Sequence, residues 1–275
     1  MLKKTFLLSS LLMLTIAQPA LSTNIIVALD ELLFTIDQKA LNSFLGHENW
    51  STKIGFWWHG GYCSKGELVK DIMEKLNAIA PQRRLSIEQQ AFYSQEKVSP
   101  IFCEWILGYR TAKDIQRTIL NYLSENDSLP SWIKTKFIEM AKICLDPQKL
   151  MEVVHEVPEG VSLLKSFSKT QRHQVFILSN CPREVFDSLN TKFPNIFSLF
   201  SGSAISSKIG KMKPYAPIYQ YLLDEYDLSA QDCLYIGTTV DGLKVAQQLG
   251  MQTILWDPYN YAPGIAQLRQ KGILD

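Results

Sequence analysis

A hydroxyl, an amide and a lysine follow apolar runs in the second half of the chain. Ser179 and Asn180 come directly after the run at 174–178, and Lys213 lies in the basic loop 208–214. A hydroxyl, a lysine and the N–H groups near Asn180 at the start of a helix form a cradle of the size of a phosphate group. We therefore expect this anion cradle (Ser179, Asn180 and Lys213) to bind a small anionic or phosphorylated ligand.

Polar residues also follow two other apolar runs. The run at 25–29 leads into Asp30 and Glu31, and the loop 237–242 follows the run at 233–236. In an open α/β sheet, ligands bind beyond the carboxyl ends of the strands. We therefore expect these two loops to border the same site as the anion cradle.

The elements that position these loops alternate between strand and helix after Pro158. Such alternation indicates βαβ units and a parallel sheet. The patterns predict strands at 25–29, 174–178, 202–205, 233–236 and 253–256, with helices at 160–168, 183–193, 217–226 and 240–249.

The chain between Thr35 and about Leu150 has a different pattern. Apolar residues recur there at spacings of three and four, which predicts helices at 67–80, 111–123 and 131–144. The sequence thus predicts an α/β core that begins at residue 24, is interrupted by a helical insert and resumes near residue 158.

These motifs together resemble the haloacid dehalogenase-like (HAD) superfamily, in its subgroup with a helical cap inserted after the first motif. The resemblance rests on IIVALDELLF at 25–34, VFILSN at 175–180, IGKMKP at 209–214, and YIG at 235–237 followed by Ala246, Gly250 and Met251. It implies an α/β fold with a HAD-like Rossmannoid parallel sheet core and an inserted α-helical cap, preceded by a signal peptide. The implied boundaries are 23–34 and 158–275 for the core and 35–157 for the cap.

The same resemblance implies that the catalytic motifs are degenerate. The position of the attacking aspartate is Ala28, which has no nucleophile. Asp30 matches the general acid/base position, and Glu31 replaces the glycine that follows it. We therefore expect a pseudoenzyme that lacks standard phosphatase activity and keeps a residual pocket for an anion.

The family's magnesium ligands are missing from the fourth motif. The positions that carry acidic residues in the family are Gly237 or Thr238, and Gly242, while Asp241 is one residue out of step. Because Mg²⁺ requires hard oxygen ligands in near-octahedral geometry, this site should hold it poorly. We expect no metal and no cofactor, with magnesium only if the degenerate site is functional.

Two alternatives keep different functions open. If the first motif is shifted by two residues, Asp30 becomes the nucleophile of an active phosphatase or dehalogenase-like hydrolase and Leu32 takes the second position. The shift would move the carboxylate by about 6 to 7 Å, whereas catalysis tolerates about 1 Å. The other alternative is a protein-interaction module that uses the helical cap, with an unknown protein partner.

Charge and cysteine content narrow the partners. The chain has 28 basic and 27 acidic residues, so its net charge of +1 provides no global field to attract nucleic acid or an anionic membrane. The five cysteines cannot all pair within one chain, and Cys63 and Cys103 in the insert could form a disulfide. Cys181, at a helix N-terminus, is a weak candidate for a reactive thiol.

The first residues have the pattern of an export signal. Lys3 and Lys4 precede the apolar stretch 6–17, which is too short to span a bilayer, and small residues follow at 20–22. We expect a signal peptide at 1–22 and an exported protein, periplasmic or secreted, with no membrane contact after cleavage.

Overall fold

The computed structural model describes residues 22–37, 86, 100–125, 131–169 and 172–274. The predicted signal peptide, except for Ser22, the helix predicted at 67–80 and the Cys63 end of a possible disulfide lie outside these residues. None of the described helices is long and apolar enough to cross a membrane.

Strands and helices alternate along most of the described chain. The strands are β1 (Thr23–Val27), β2 (Phe34–Ile36), β3 (Val154–Glu156), β4 (His173–Ser179), β5 (Gly202–Ile205), β6 (Cys233–Gly237) and β7 (Gln252–Leu255). The helices of the first half are α1 (Pro100–Ile106), α2 (Ala112–Glu125), α3 (Ser131–Cys144) and α4 (Pro147–Val153). The later helices are α5 (Pro158–Lys169), α6 (Arg183–Lys192), α7 (Pro194–Phe197), α8 (Ser206–Ile209), α9 (Ala216–Glu225), α10 (Val240–Gln248) and α11 (Ala262–Gln270).

Five parallel strands form the central sheet in the order β5-β4-β1-β6-β7. β1 lies in the middle, with Val27 opposite Ile177 of β4 and Ile236 of β6. Its apolar side chains are buried on both faces, as expected for a parallel sheet covered by helices. The predicted α/β core with a parallel sheet is confirmed.

Each face of the sheet packs against a separate group of helices. Ile25 and Val27 belong to the larger apolar cluster, which extends to α1, α5 and α6. Ile26 belongs to the second cluster, together with Tyr235 of β6 and Tyr219 of α9. The alternation of side chains along β1 therefore divides the core into two layers.

The helical pattern predicted from Thr35 to about Leu150 is wrong at its start. Thr35 lies in β2, which pairs antiparallel with β3 and places Thr35 opposite His155. Strands of three residues are too short to show a two-residue period against a long helical pattern. This two-stranded antiparallel sheet brings the chain before residue 38 next to the chain after residue 153.

The turn after β1 packs tightly against the start of α5. A Cβ atom at Gly160 would lie 1.7 Å from the Leu32 carbonyl oxygen. The N–H of Val157, the residue before α5, donates to the Leu33 carbonyl at 2.8 Å and holds the start of the helix against the same turn. Only glycine allows α5 to begin this close to the turn.

We expect Gly160→Ala to destabilise the fold by about 1–3 kcal/mol, because the added methyl group overlaps a backbone carbonyl. Urea unfolding measures the change. Ser162→Ala, on the exposed side of the same helix, is the control and should shift stability by less than about 0.5 kcal/mol. Equal unfolding midpoints for the two variants would contradict the close contact with Leu32.

Candidate active site at the carboxyl edge of the sheet

Three adjacent strands end at the same edge of the sheet and bring the predicted site residues together. β1 ends at Val27, β4 at Ser179 and β6 at Gly237. Because these strands are parallel and adjacent, the loops that follow them share one edge. Sequence positions about 150 and 210 residues after Asp30 therefore become its neighbours in space.

Asp30 lies in a tight turn directly after β1. The Leu33 and Phe34 N–H groups donate to the Leu29 carbonyl at 3.1 and 3.2 Å, which turns the chain back over the strand end. Glu31 has a φ of 59°, the left-handed conformation that favours glycine. A glutamate at this position keeps the turn, at a backbone cost of about 1–2 kcal/mol.

The Asp30 carboxylate faces the anion cradle. Its Oδ1 lies 3.4 Å from the Ser179 Oγ and 3.8 Å from the Lys213 Nζ. The side chains of Lys213 and Asp30 are 12% and 20% exposed, so this ion pair is largely shielded from solvent. The structure therefore brings together Asp30, Ser179 and Lys213.

Asn180 holds the backbone of Lys213 in place. Its Oδ1 accepts the Lys213 N–H at 2.7 Å, and its Nδ2 donates to the Lys213 carbonyl at 2.9 Å. The side-chain amide is thus engaged at both ends. These contacts position Lys213, and a direct contact of Asn180 with a ligand remains a prediction.

Ser206 connects the loop after β4 to the insert and was missed from the sequence. Its buried Oγ accepts the Cys181 N–H at 2.9 Å and donates to the Ile106 carbonyl at 2.6 Å. Pro182, which follows Cys181, has no N–H. At the start of α6, fewer N–H groups are therefore available to an anion than the sequence predicted.

Ala28 lies where the strand meets the site. It is fully buried, and its N–H donates to the Ile236 carbonyl at 3.4 Å. No carboxylate projects from this position. Asp30, two residues further on, reaches the site through the turn.

The loop after β6 brings no carboxylate to the site. Asp241 is exposed and pairs with Lys244 at 3.0 Å on the protein surface. Gly237 and Gly242 are buried and Thr238 is half-buried. Within the described ranges, no three Asp, Glu, His or Cys side chains are grouped so that they could hold a metal ion. The donors at this edge therefore do not fit Mg²⁺, which requires several hard oxygen ligands.

A parallel sheet with helices on both faces and a polar cluster at its carboxyl edge defines the Rossmann-like α/β class. The family model for haloacid dehalogenase-like hydrolase matches residues 109–256. The chain belongs to this family.

Solved structures with low sequence identity share the fold. A HAD family enzyme from Bacteroides thetaiotaomicron, an aspartate-to-alanine mutant in complex with magnesium and inorganic phosphate, matches with 16% identity and a TM-score of 0.54 over 86% of this chain and 95% of its own. A predicted HAD-like hydrolase from Porphyromonas gingivalis matches with 16% identity and a TM-score of 0.55, over 92% and 99% of the two chains. A dehalogenase matches with 12% identity and a TM-score of 0.51, over 86% and 84%.

Two buried cysteines, one in β6 and one after β4, are held as neutral thiols. Burial raises the pKa of Cys181 well above its ordinary value, and the nearby Asp30 carboxylate raises it further. Burial likewise raises the pKa of Cys233 to about 11. Because the thiolate is the reactive form, the position of Cys181 at a helix start does not make it a nucleophile.

We expect Cys181 and Cys233 to resist alkylation by iodoacetamide at pH 8 in the folded protein, because both are buried and protonated at that pH. Peptide mass spectrometry after a timed reaction measures this. The same protein in guanidinium is the control, in which both cysteines should react. Rapid labelling of Cys181 in the folded protein, without guanidinium, would contradict the assignment of a neutral, buried thiol.

Proposed function

We propose that this family member binds a small anion in the anion cradle and lacks the aspartyl-phosphate chemistry of standard phosphatases. The observation that carries the proposal is the combination of Ala28 at the end of β1 with Asp30, Ser179 and Lys213 in contact beside it. The ligand class is a phosphate or another small anion. The Bacteroides relative that was crystallised with inorganic phosphate supports this class.

The charges of the site favour binding over turnover. Lys213 is the cation that an anion would contact, and Asp30 already neutralises part of its charge at 3.8 Å. A covalent mechanism needs a carboxylate free to attack while the cradle holds the substrate's anionic group. Here the carboxylate itself lies against the hydroxyl and ammonium groups of the cradle.

The cradle should bind inorganic phosphate weakly, and removal of the Asp30 charge should tighten binding. Two unit charges 4 Å apart interact by about 1 kcal/mol in bulk water and by more in a shielded site, so Asp30→Asn should lower the Kd by at least about fivefold. Lys213→Met should raise it at least about tenfold, because the cation is lost. Isothermal titration with phosphate measures all three proteins.

Lys244→Met is the matched control, because its exposed ammonium group pairs with Asp241 and forms no hydrogen bond or ion pair with Asp30, Ser179 or Lys213. It should bind phosphate as the wild type does. The proposal fails if Lys213→Met and Lys244→Met behave alike. It also fails if the purified protein hydrolyses phosphate esters with Mg²⁺ and loses this activity in Asp30→Asn.

The second candidate function is an active hydrolase in which Asp30 is the nucleophile. The turn after β1 favours it, since it brings a carboxylate to the strand end where Ala28 provides none. In that reaction a carboxylate oxygen would bond to the substrate's electrophilic atom as the leaving group departs, and water would release the product. A substrate-derived mass increase on Asp30, after incubation with haloacids or phosphate esters, would establish this function.

We also propose that the protein is exported. The support is the sequence pattern of residues 1–22, with a Lys-Lys start and a short apolar stretch. Expression in a bacterial host and intact-mass analysis of the periplasmic fraction should give a chain that begins at Thr23. A full-length chain retained in the cytoplasm would contradict it. A helical cap that binds another protein remains a prediction, and no contact among the described residues favours it.

A further inference from the structure

Two buried tyrosines lie beneath the carboxyl edge of the sheet. Tyr235 is part of β6 and Tyr219 part of α9, and both are at most 1% exposed. Their rings meet edge to face, with centroids 5.6 Å apart. The Tyr219 hydroxyl donates to the Gly242 carbonyl at 3.0 Å, which connects the pair to the loop after β6.

Three hydroxyl groups converge on Gly242. A Cβ atom at this residue would lie 2.9 Å from the Thr239 Oγ1, 3.1 Å from the Tyr219 hydroxyl and 3.5 Å from the Tyr235 hydroxyl. At Gly237, a Cβ atom would lie 2.7 to 2.8 Å from the Tyr235 ring and hydroxyl. The space next to the loop is therefore filled, and a side chain at Gly242 has no room unless these groups move.

The tyrosines occupy the side of the site on which Ala28 lies. Ile26 is opposite Tyr235 in the pairing of β1 with β6. Because side chains alternate along a strand, Ala28 shares a face with Ile26 and is level with Gly237. The family resemblance assigns the attacking aspartate to position 28 and acidic residues to 237 or 238 and to 242.

The two phenols bring no negative charge to this side of the site. Burial raises the pKa of each, so both remain neutral hydroxyls at physiological pH. Neutral phenols cannot replace the carboxylates that a divalent cation needs. The Tyr219 hydroxyl does have a partner, the Gly242 carbonyl, so the phenol closest to Gly242 is a satisfied polar group.

We propose that the hydroxyl cluster of Tyr219, Tyr235 and Thr239 has taken the volume of the family's metal centre, so that restoring the lost carboxylates does not restore magnesium binding. The loss of the metal is thus built into the packing of the core, and is not confined to the positions that changed charge. This inference rests on the proposed function only in that the chain acts without a metal.

A double-mutant cycle tests the packing part of the proposal. Gly242→Ala should lower the melting temperature by about 4 to 8 °C in the wild-type background, because its Cβ overlaps the cluster. In a Tyr219→Phe/Thr239→Ala background, which removes the two closest hydroxyls, the loss should fall to less than half. Gly250→Ala, with a φ of 96° and no atom closer than 3.8 Å, is the control and should cost the same in both backgrounds. An equal loss for Gly242→Ala in both backgrounds would overturn the proposal.

A magnesium titration tests the metal part. The triple variant Ala28→Asp/Thr238→Asp/Gly242→Asp should show no binding of Mg²⁺ by isothermal titration. The same variant with Tyr219→Leu and Tyr235→Leu should bind it at millimolar concentration or below. Binding by the triple variant alone contradicts the proposal, and so does the absence of binding in both, since the phenols would then not be what excludes the metal. Phosphate binding by the wild-type protein tests the proposed function separately, because it does not depend on these variants.

Discussion

The pairing of β1 between β4 and β6 is the constraint on which the site depends. Val27 is level with both Ile177 and Ile236, so the three strands end together and their loops meet. A slip of one residue in either ladder would turn every side chain of that strand to the other face. Burial of β1 on both faces opposes such a slip, because each face contributes to a separate apolar cluster. The stability of the core and the geometry of the site therefore have the same cause.

The charge balance of the site follows from how its loops are held. Asn180 binds the backbone of Lys213 at both its N–H and its carbonyl. The lysine side chain therefore extends toward Asp30 from a backbone that is held in place. The turn at Glu31 brings Asp30 to the same place from the opposite loop. The ion pair is thus set by two backbone conformations. A ligand that enters must compete with a carboxylate that the fold holds against its binding groups.

The sequence predicted four strands and four helices after residue 158 within two residues at each end, because buried apolar runs alternate there with amphipathic helices. It also identified Ala28 as a strand-end residue without a nucleophile. It missed α7, α8 and α11. It could not reveal the pairing of β2 with β3, because each strand has three residues and the two are more than 100 residues apart in the sequence. Nor could it separate Tyr219 and Tyr235 from ordinary core aromatics. Their convergence on Gly242 depends on how α9 packs against the sheet, and no local pattern encodes that contact.

The position of Asp30 alters the argument between the two alignments of the first motif, one with Ala28 and the other with Asp30 at the attacking position. A shift by two residues would move the carboxylate by about 6 to 7 Å if the strand continued straight. β1 instead ends at Val27, and Leu29 already accepts the N–H groups that form the turn. Asp30 therefore reaches the cradle through the turn, and the distance no longer argues against Asp30 as the nucleophile. What argues against it is occupancy, since one oxygen of Asp30 lies near both Ser179 and Lys213. A nucleophile must face a substrate whose anionic group fills the cradle, whereas a carboxylate inside the cradle excludes that group. Binding of the proposed anion and attack by Asp30 thus require different positions of its carboxylate, which in the structure lies 3.4 Å from the Ser179 Oγ and 3.8 Å from the Lys213 Nζ.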